Sequence, residues 1–382
     1  MSRSVLLAAL TVGAMLGGPA AAQSPDWRLC ASTQAREADL AIAACTRLVA
    51  ASTLGAGERA TVHHNRGTLY LKKGAADRAI QDFDEALKLN PASPATLNNR
   101  GLAYSAKGET DRALQDFDAA IRRDAKNAAA FFNRASAYRV KGDLDGAIRD
   151  LGQALRLDPG DAAALVARGL ALAAKGDYDA AIKDHGAAIR LDPHNVAALN
   201  HRADAHGHKG DFDRALGDYG AAIGLNPRYA LAFRNRARVY FYRGDFAAAA
   251  ADFAAAEAID PGSSYALIWR YIAEARSGTI DRAGLHRAAP ALREGWPKPL
   301  VLHLLGRLDA DAVLAAANAP SDDRMRQEQA CEAHFFIGQQ HVLAGAEDAA
   351  IASLRRALAL CPRHVVEYHA TRVELRRIGA PP

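Results

Sequence analysis

An arginine recurs every 34 residues through most of this chain, at Arg66, Arg100, Arg134, Arg168, Arg202, Arg236 and Arg270. A fixed period of this length marks a row of stacked units, each packed only against its neighbours. Other columns keep the same step. Glycine recurs from Gly74 through Gly108, Gly142, Gly176, Gly210 and Gly244 to Gly278, and alanine from Ala79 to Ala283 and again from Ala86 to Ala256. Proline closes most units, at Pro91, Pro159, Pro193, Pro227 and Pro261, and only Ala125 breaks that column. Residues 95–159 hold the clearest pair of copies, Asn99-Arg100-Gly101 with Tyr104 and then Asn133-Arg134-Ala135 with Tyr138.

The apolar positions inside a unit, such as Leu97, Gly101 and Tyr104, then Ala113, Phe117 and Ala120, fall at helical spacing in two runs. Glycine between the runs suits a tight turn with positive φ. The aspartate after it, as in Gly142-Asp143, can cap the next helix, and the closing proline stops the second one. The spacing therefore predicts an all-α solenoid of stacked helix–turn–helix hairpins, none able to bury its apolar face alone.

A 34-residue hairpin with these columns resembles the tetratricopeptide repeat (TPR), over Ala60 to about Gly278. It departs at the seventh position, usually apolar and here arginine. The resemblance implies that first helices line a concave groove where protein partners bind. Candidate groove residues are then Asn65, Asn98, Asn99, Phe132, Asn133, Asn200 and Asn235. A basic–aromatic set, Arg139, Arg234, Arg238, Phe241 and Tyr242, joins them as partner anchors. Asparagine can donate to and accept from an extended peptide, or bond the neighbouring repeat, and both readings stay open. Ala95, Ala129, Ala163 and Ala197 stand where a chaperone-type carboxylate clamp would place lysine.

At 382 residues and +5 formal charge, with acids and bases mixed in every repeat, the chain reads as solvated helix faces and not as a nucleic-acid surface. Residues 1–22 read as a secretory signal: Arg3, an apolar run from Val5 to Leu16, and Ala20-Ala21-Ala22 as the cleavage site. The run is too short for a membrane span, so no anchor is expected after cleavage. The remaining boundaries expected are a capping hairpin at 23–59, six repeats at 60–263, diverged helical repeats at 264–330, a repeat-like hairpin at 331–364, and a closing helix and tail at 365–382.

Four cysteines fall into two local pairs, Cys30 with Cys45 and Cys331 with Cys361, each on the two arms of a terminal hairpin. In an exported protein this predicts two disulfides; free thiols are the alternative if the signal reading fails. No Cys-x-x-Cys occurs. His201, His206 and His208 do not share one helical face, and His206 and His185 occupy packing columns, so no metal and no cofactor is expected. No nucleophile–base set or phosphate loop is found, so no enzyme activity is expected.

The C-terminal part is similar to the end of the NlpI-type TPR lipoproteins, at Phe335-Phe336-Ile337-Gly338, Ala350 to Leu360 and Val366-Glu367-Tyr368. That resemblance implies a periplasmic adaptor for cell-wall hydrolases or an envelope protease, although the lipidated cysteine is missing here. The alternative function is a glycan-handling subunit of envelope or cell-wall assembly, which would need stacked aromatics with paired carboxylates. Finally, each arginine from Arg66 to Arg236 is followed sixteen residues later by an aspartate: Asp82, Asp116, Asp150, Asp184, Asp218 and Asp252. Antiparallel folding over the glycine predicts one ion pair between the two helices of each of six repeats, ending where Arg270 would meet His286.

Overall fold

A computed structural model describes residues 24–32, 38–51, 54–279, 285, 289, 292, 294–362 and 365–380. Among them are twenty helices and no strand. The expected signal segment and His286 lie outside the described residues.

The chain divides into two compact units, one ending at Leu191 and one starting at Asp192. The first holds five hairpins: α1 (Pro25–Ala31) with α2 (Ala38–Ala50), α3 (Ala56–Lys72) with α4 (Ala76–Leu89), α5 (Pro94–Lys107) with α6 (Thr110–Arg123), α7 (Ala128–Lys141) with α8 (Leu144–Leu157), and α9 (Ala162–Ala174) with α10 (Tyr178–Leu191). The second holds α11 (Val196–Lys209) with α12 (Phe212–Leu225), α13 (Ala230–Arg243) with α14 (Phe246–Ile259), and α15 (Ser264–Ser277). Then come α16 (Lys298–Leu304), α17 (Ala310–Ala317), α18 (Asp323–Leu343), α19 (Glu347–Leu360) and α20 (Val366–Arg377).

The turns follow the sequence columns. Gly108 and Gly142 sit at φ 80° and end their helices in the left-handed conformation. The amide of Glu109 then reaches back to the Tyr104 carbonyl at 2.9 Å, which satisfies an otherwise orphaned helix end. Asp143 caps α8 by accepting from the Gly146 amide at 2.8 Å, and Asn127 caps α7 through Ala130 at 3.0 Å.

Inside a hairpin, a small residue lets the two helices close on an aromatic ring. A Cβ added at Gly101 would stand 2.7 Å from Cε1 of Phe117, which is fully buried. Helix propensity alone would make Gly101→Ala stabilising by up to ~1 kcal/mol. The clash should reverse that sign, so chemical denaturation of Gly101→Ala should show a loss of about 1–2 kcal/mol. Adding Phe117→Leu should recover most of it, because the same two columns already hold Ala135 with Leu151 in the next repeat. Gly169 meets His185 in the same way, and His185 is fully buried as a packing residue.

Both expected disulfides are present, Cys30–Cys45 with Cα atoms 4.9 Å apart and Cys331–Cys361 with 4.8 Å. Each ties together the arms of one hairpin. Replacing either pair by serine should cost about 2–4 kcal/mol, read as a lower denaturation midpoint that reducing agent reproduces in the wild type.

The region after the sixth repeat differs from the regular hairpins in two ways. The last hairpin begins at Asp323, eight residues before Cys331, so its first helix runs for 21 residues. An aspartate cap explains the early start: Asp322 accepts from the Met325 amide at 2.7 Å. Arg270 also keeps an acidic neighbour, Glu257 of α14 at 3.2 Å, so the arginine column outlasts the aspartate column by one unit.

Candidate functional site

The arginine column is structural. Each guanidinium forks onto its aspartate sixteen residues on, through Nε and Nη2: Arg66–Asp82 at 2.8 and 2.7 Å, Arg134–Asp150 at 2.7 and 2.9 Å, Arg236–Asp252 at 2.6 and 2.8 Å. Arg100–Asp116, Arg168–Asp184 and Arg202–Asp218 repeat this geometry. Three of the forks also reach backward, that of Arg66 through Nη1 to Thr46 Oγ1 of α2 at 3.1 Å. Nη1 of Arg100 bonds Asp84 at 2.6 Å and Nη1 of Arg134 bonds Asp118 at 3.0 Å, both on the second helix of the preceding repeat. Burial, the largest influence on Asp82, works to raise its pKa. Hydrogen bonds from Arg66 and His63 outweigh it, and the carboxyl is held below its usual range.

The asparagines resolve toward the second of their two readings. Asn133 donates to Asn98 Oδ1 at 2.9 Å and Asn99 donates to Thr68 Oγ1 at 3.2 Å, in each case across to a neighbouring first helix. In the second unit Asn235 donates to Asp204 Oδ1 at 2.9 Å, and Asn200 donates to Asp204 Oδ2 at 3.2 Å. Asn98, Asn99, Asn133, Asn200 and Asn235 are all buried. Buried carboxamides need such partners, and a polar ladder along the first helices supplies them. Asn65, first in the column, is half-buried.

The basic–aromatic set divides. Phe241 has no exposed surface; it packs edge-on to Phe246 and Trp269, so it is a core residue and not an accessible anchor. Tyr242 lies against His369 of α20 with ring centres 5.1 Å apart. That helix returns over the end of α13, where Arg377 Nη2 donates to the carbonyls of Phe241 and Tyr242 at 3.0 and 2.9 Å. A cation there answers the open carbonyls of a helix C-terminus. Glu374, fully buried, holds Arg276 of α15 at 2.6 Å and also pairs with Arg377. The chain's own last helix thus occupies this end of α13. Arg139 is exposed and Phe132 half-buried on α7 of the first unit.

Arg234 and Arg238, one turn apart on α13, remain available. They line a cavity of about 460 Å³ within the second unit. Tyr265 and Trp269 of α15, Arg324, Glu328 and Glu332 of α18 and Glu367 of α20 also line it. Glu332 Oε2 accepts from Tyr265 Oη and Trp296 Nε1, both at 2.7 Å. Burial raises the pKa of Glu332, and burial followed by the nearby Glu332 pushes Glu367 up to about 8. The repeat pattern gave no hint of this cavity.

No curated protein matches the chain by sequence. Among solved structures, a tetratricopeptide repeat protein from Parabacteroides merdae is 23% identical, with 66% of this chain and 99% of that one covered and a TM-score of 0.52. The MamA protein is 26% identical over 46% of this chain and 95% of its own, at a TM-score of 0.42. YrrB, described as a TPR protein with an unusual peptide-binding site, is 23% identical over 49% of this chain and 95% of its own, also at 0.42. The family model described as Tetratricopeptide repeat matches residues 98–162, 141–196, 166–220 and 200–264, and that described as TPR repeat matches 67–108. With the hairpins, turns and small-residue columns described above, these matches show that the chain belongs to the tetratricopeptide-repeat family.

Proposed function

We propose that this protein is an exported, disulfide-clamped scaffold that binds protein partners along its first helices. Members of this repeat family generally act as non-catalytic binding scaffolds, and their partners are peptides or proteins. The observation that carries the reading is how the recurring residues are used. The arginines, aspartates, buried asparagines and glycines are consumed in holding the hairpins together. Recognition is thereby left to residues that change from repeat to repeat, such as Phe132, Arg139, Arg234 and Arg238.

Export is supported by the signal-like residues 1–22 and by two disulfides, which persist in oxidising compartments. No described helix is long and apolar enough to cross a membrane. The resemblance to NlpI-type adaptors makes envelope hydrolases or a protease the partners to look for. The glycan-handling alternative loses support because Trp269, the central aromatic of the cavity, is buried among Phe253, Phe335 and Phe336 and offers no open stacking face. Chemical crosslinking in intact cells, followed by capture of the protein from the envelope fraction, should recover envelope proteins. Recovery of the protein from the cytoplasm with Met1 intact would contradict the export reading.

A further inference from the structure

The last helix rests on the face along which partner binding is proposed. Leu231, Arg234, Arg238 and Tyr242 succeed one another at steps of three and four along α13, and Asp204 and His208 take the corresponding places on α11. Helix α20 covers the far end of this face. His369 lies against Tyr242 and stands edge-on to His208 with ring centres 6.1 Å apart, while Arg377 meets the α13 carbonyls.

The seat holds this helix at a cost. Of the buried residues of α20 only Ala370 and Leu375 are apolar, so little of its docking comes from apolar surface leaving water. The repeat helix α14, by contrast, buries Ala249, Ala250, Phe253 and Ala256, and its one buried acid, Asp252, is forked by Arg236. In α20, Nε2 of His369 and Oγ1 of Thr371 are buried and find no hydrogen-bond partner among the described residues. Glu374 is a single carboxylate between two guanidiniums. Those of Arg276 and Arg377 both lie over Phe246, their central carbons 4.4 and 5.1 Å from the ring centre. The seat therefore encloses an excess positive charge, and burial followed by Arg276 pushes the Arg377 pKa down to about 10.

The chain before α20 is fixed independently. Cys361 precedes the helix and is bridged to Cys331 of α18. Undocking α20 leaves α18 and α19 joined and keeps the freed helix near its seat, so re-docking is an intramolecular step.

We infer that α20 is an autoinhibitory strap, which occupies the first-helix face of α11 and α13 until a protein partner takes its place. The inference rests on the scaffold role proposed above and adds a control to it. A partner that needs this face meets it only while α20 is undocked, so its apparent affinity is lowered by the fraction of chains in that state.

Hydrogen exchange on the full chain at neutral pH tests whether α20 opens alone. Relative to their intrinsic rates, its amides should exchange at least about tenfold faster than those of α14 and α15 in the same unit. Equal protection in the three helices would show that α20 opens only when the unit unfolds, and would overturn the inference.

Photocrosslinking in living cells tests what the opening controls. A benzophenone side chain at Leu231 reports partners on the part of the face beside the strap. Glu374→Ala should raise the yield of the wild-type adducts at least about threefold, because a larger fraction of chains has the face open. Arg377→Ala, which removes the tie to the α13 carbonyls and leaves Glu374 paired with Arg276, serves as a second release should Glu374→Ala not fold. Exchange on the same variants should show α20 released while α14 and α15 keep their protection. Unchanged or lower yield from a variant with α20 released, or α20 still protected in both variants, would overturn the inference. Absence of adducts at Leu231 in every background would instead reject the scaffold reading, and the strap with it.

Discussion

Removing one partner from the fork between Arg134 and Asp150 should destabilise the first unit by about 3–5 kcal/mol, because the other charge is left stranded where water is scarce. The side chains are 16% and 10% exposed, which places the pair between a solvated surface contact and a fully buried one. Arg134→Ala strands Asp150, which the glycine turn has placed against the first helix. Asp150→Ala leaves Arg134 with Asp118 at 3.0 Å, on an exposed carboxylate, so its loss should fall at the lower end. The double variant should cost less than the sum of the two by about 2 kcal/mol. Additive losses would show that the fork contributes nothing and would leave the arginine column unexplained. Acid should weaken the corresponding fork at Asp82. The folded pKa of Asp82 is depressed, so its contribution is fully present above the unfolded value of about 4 and is lost as pH falls through the folded one.

An effect of similar size is expected at the other end of the chain. Glu374 is fully buried between Arg276 and Arg377, and Arg377 in turn ties α20 to the last carbonyls of α13. Glu374→Ala leaves two guanidiniums facing each other in a buried site and should cost about 3–5 kcal/mol. Glu374→Gln keeps the shape and an acceptor oxygen, so it should recover part of this. Hydrogen exchange locates the damage: the amides of α20 and the last turn of α13 should lose protection together, while those of α3 to α8 keep theirs. Uniform loss across the chain, or none, would show that α20 is not held by this pair.

The fork was legible in the sequence because two residues sixteen apart must meet when helices of similar length fold back over a turn of two or three residues. The caps and both disulfides follow the same local geometry, and so does the buried His185 in a phenylalanine column. Where contacts come from far along the chain, the sequence was silent. Phe241 reads as a groove aromatic by its place in the repeat, but Trp269 and the returning α20 enclose it. The asparagine column was ambiguous because a carboxamide serves a peptide and a neighbouring helix equally well; only the positions of Thr68, Asn98 and Asp204 decide it. The cavity was invisible because Glu332 and Glu367 sit on α18 and α20, where the 34-residue period has lapsed.

Site-specific photocrosslinking in living cells tests most directly whether the first helices bind partners. A benzophenone side chain at Phe132 on α7 or at Leu231 beside the cavity should yield covalent adducts with the same small set of proteins whenever those partners are present. The same group at Arg122 on α6, an exposed second-helix position, should yield none. Equal labelling at all three positions, or adducts at Arg122 alone, would contradict recognition through the first helices.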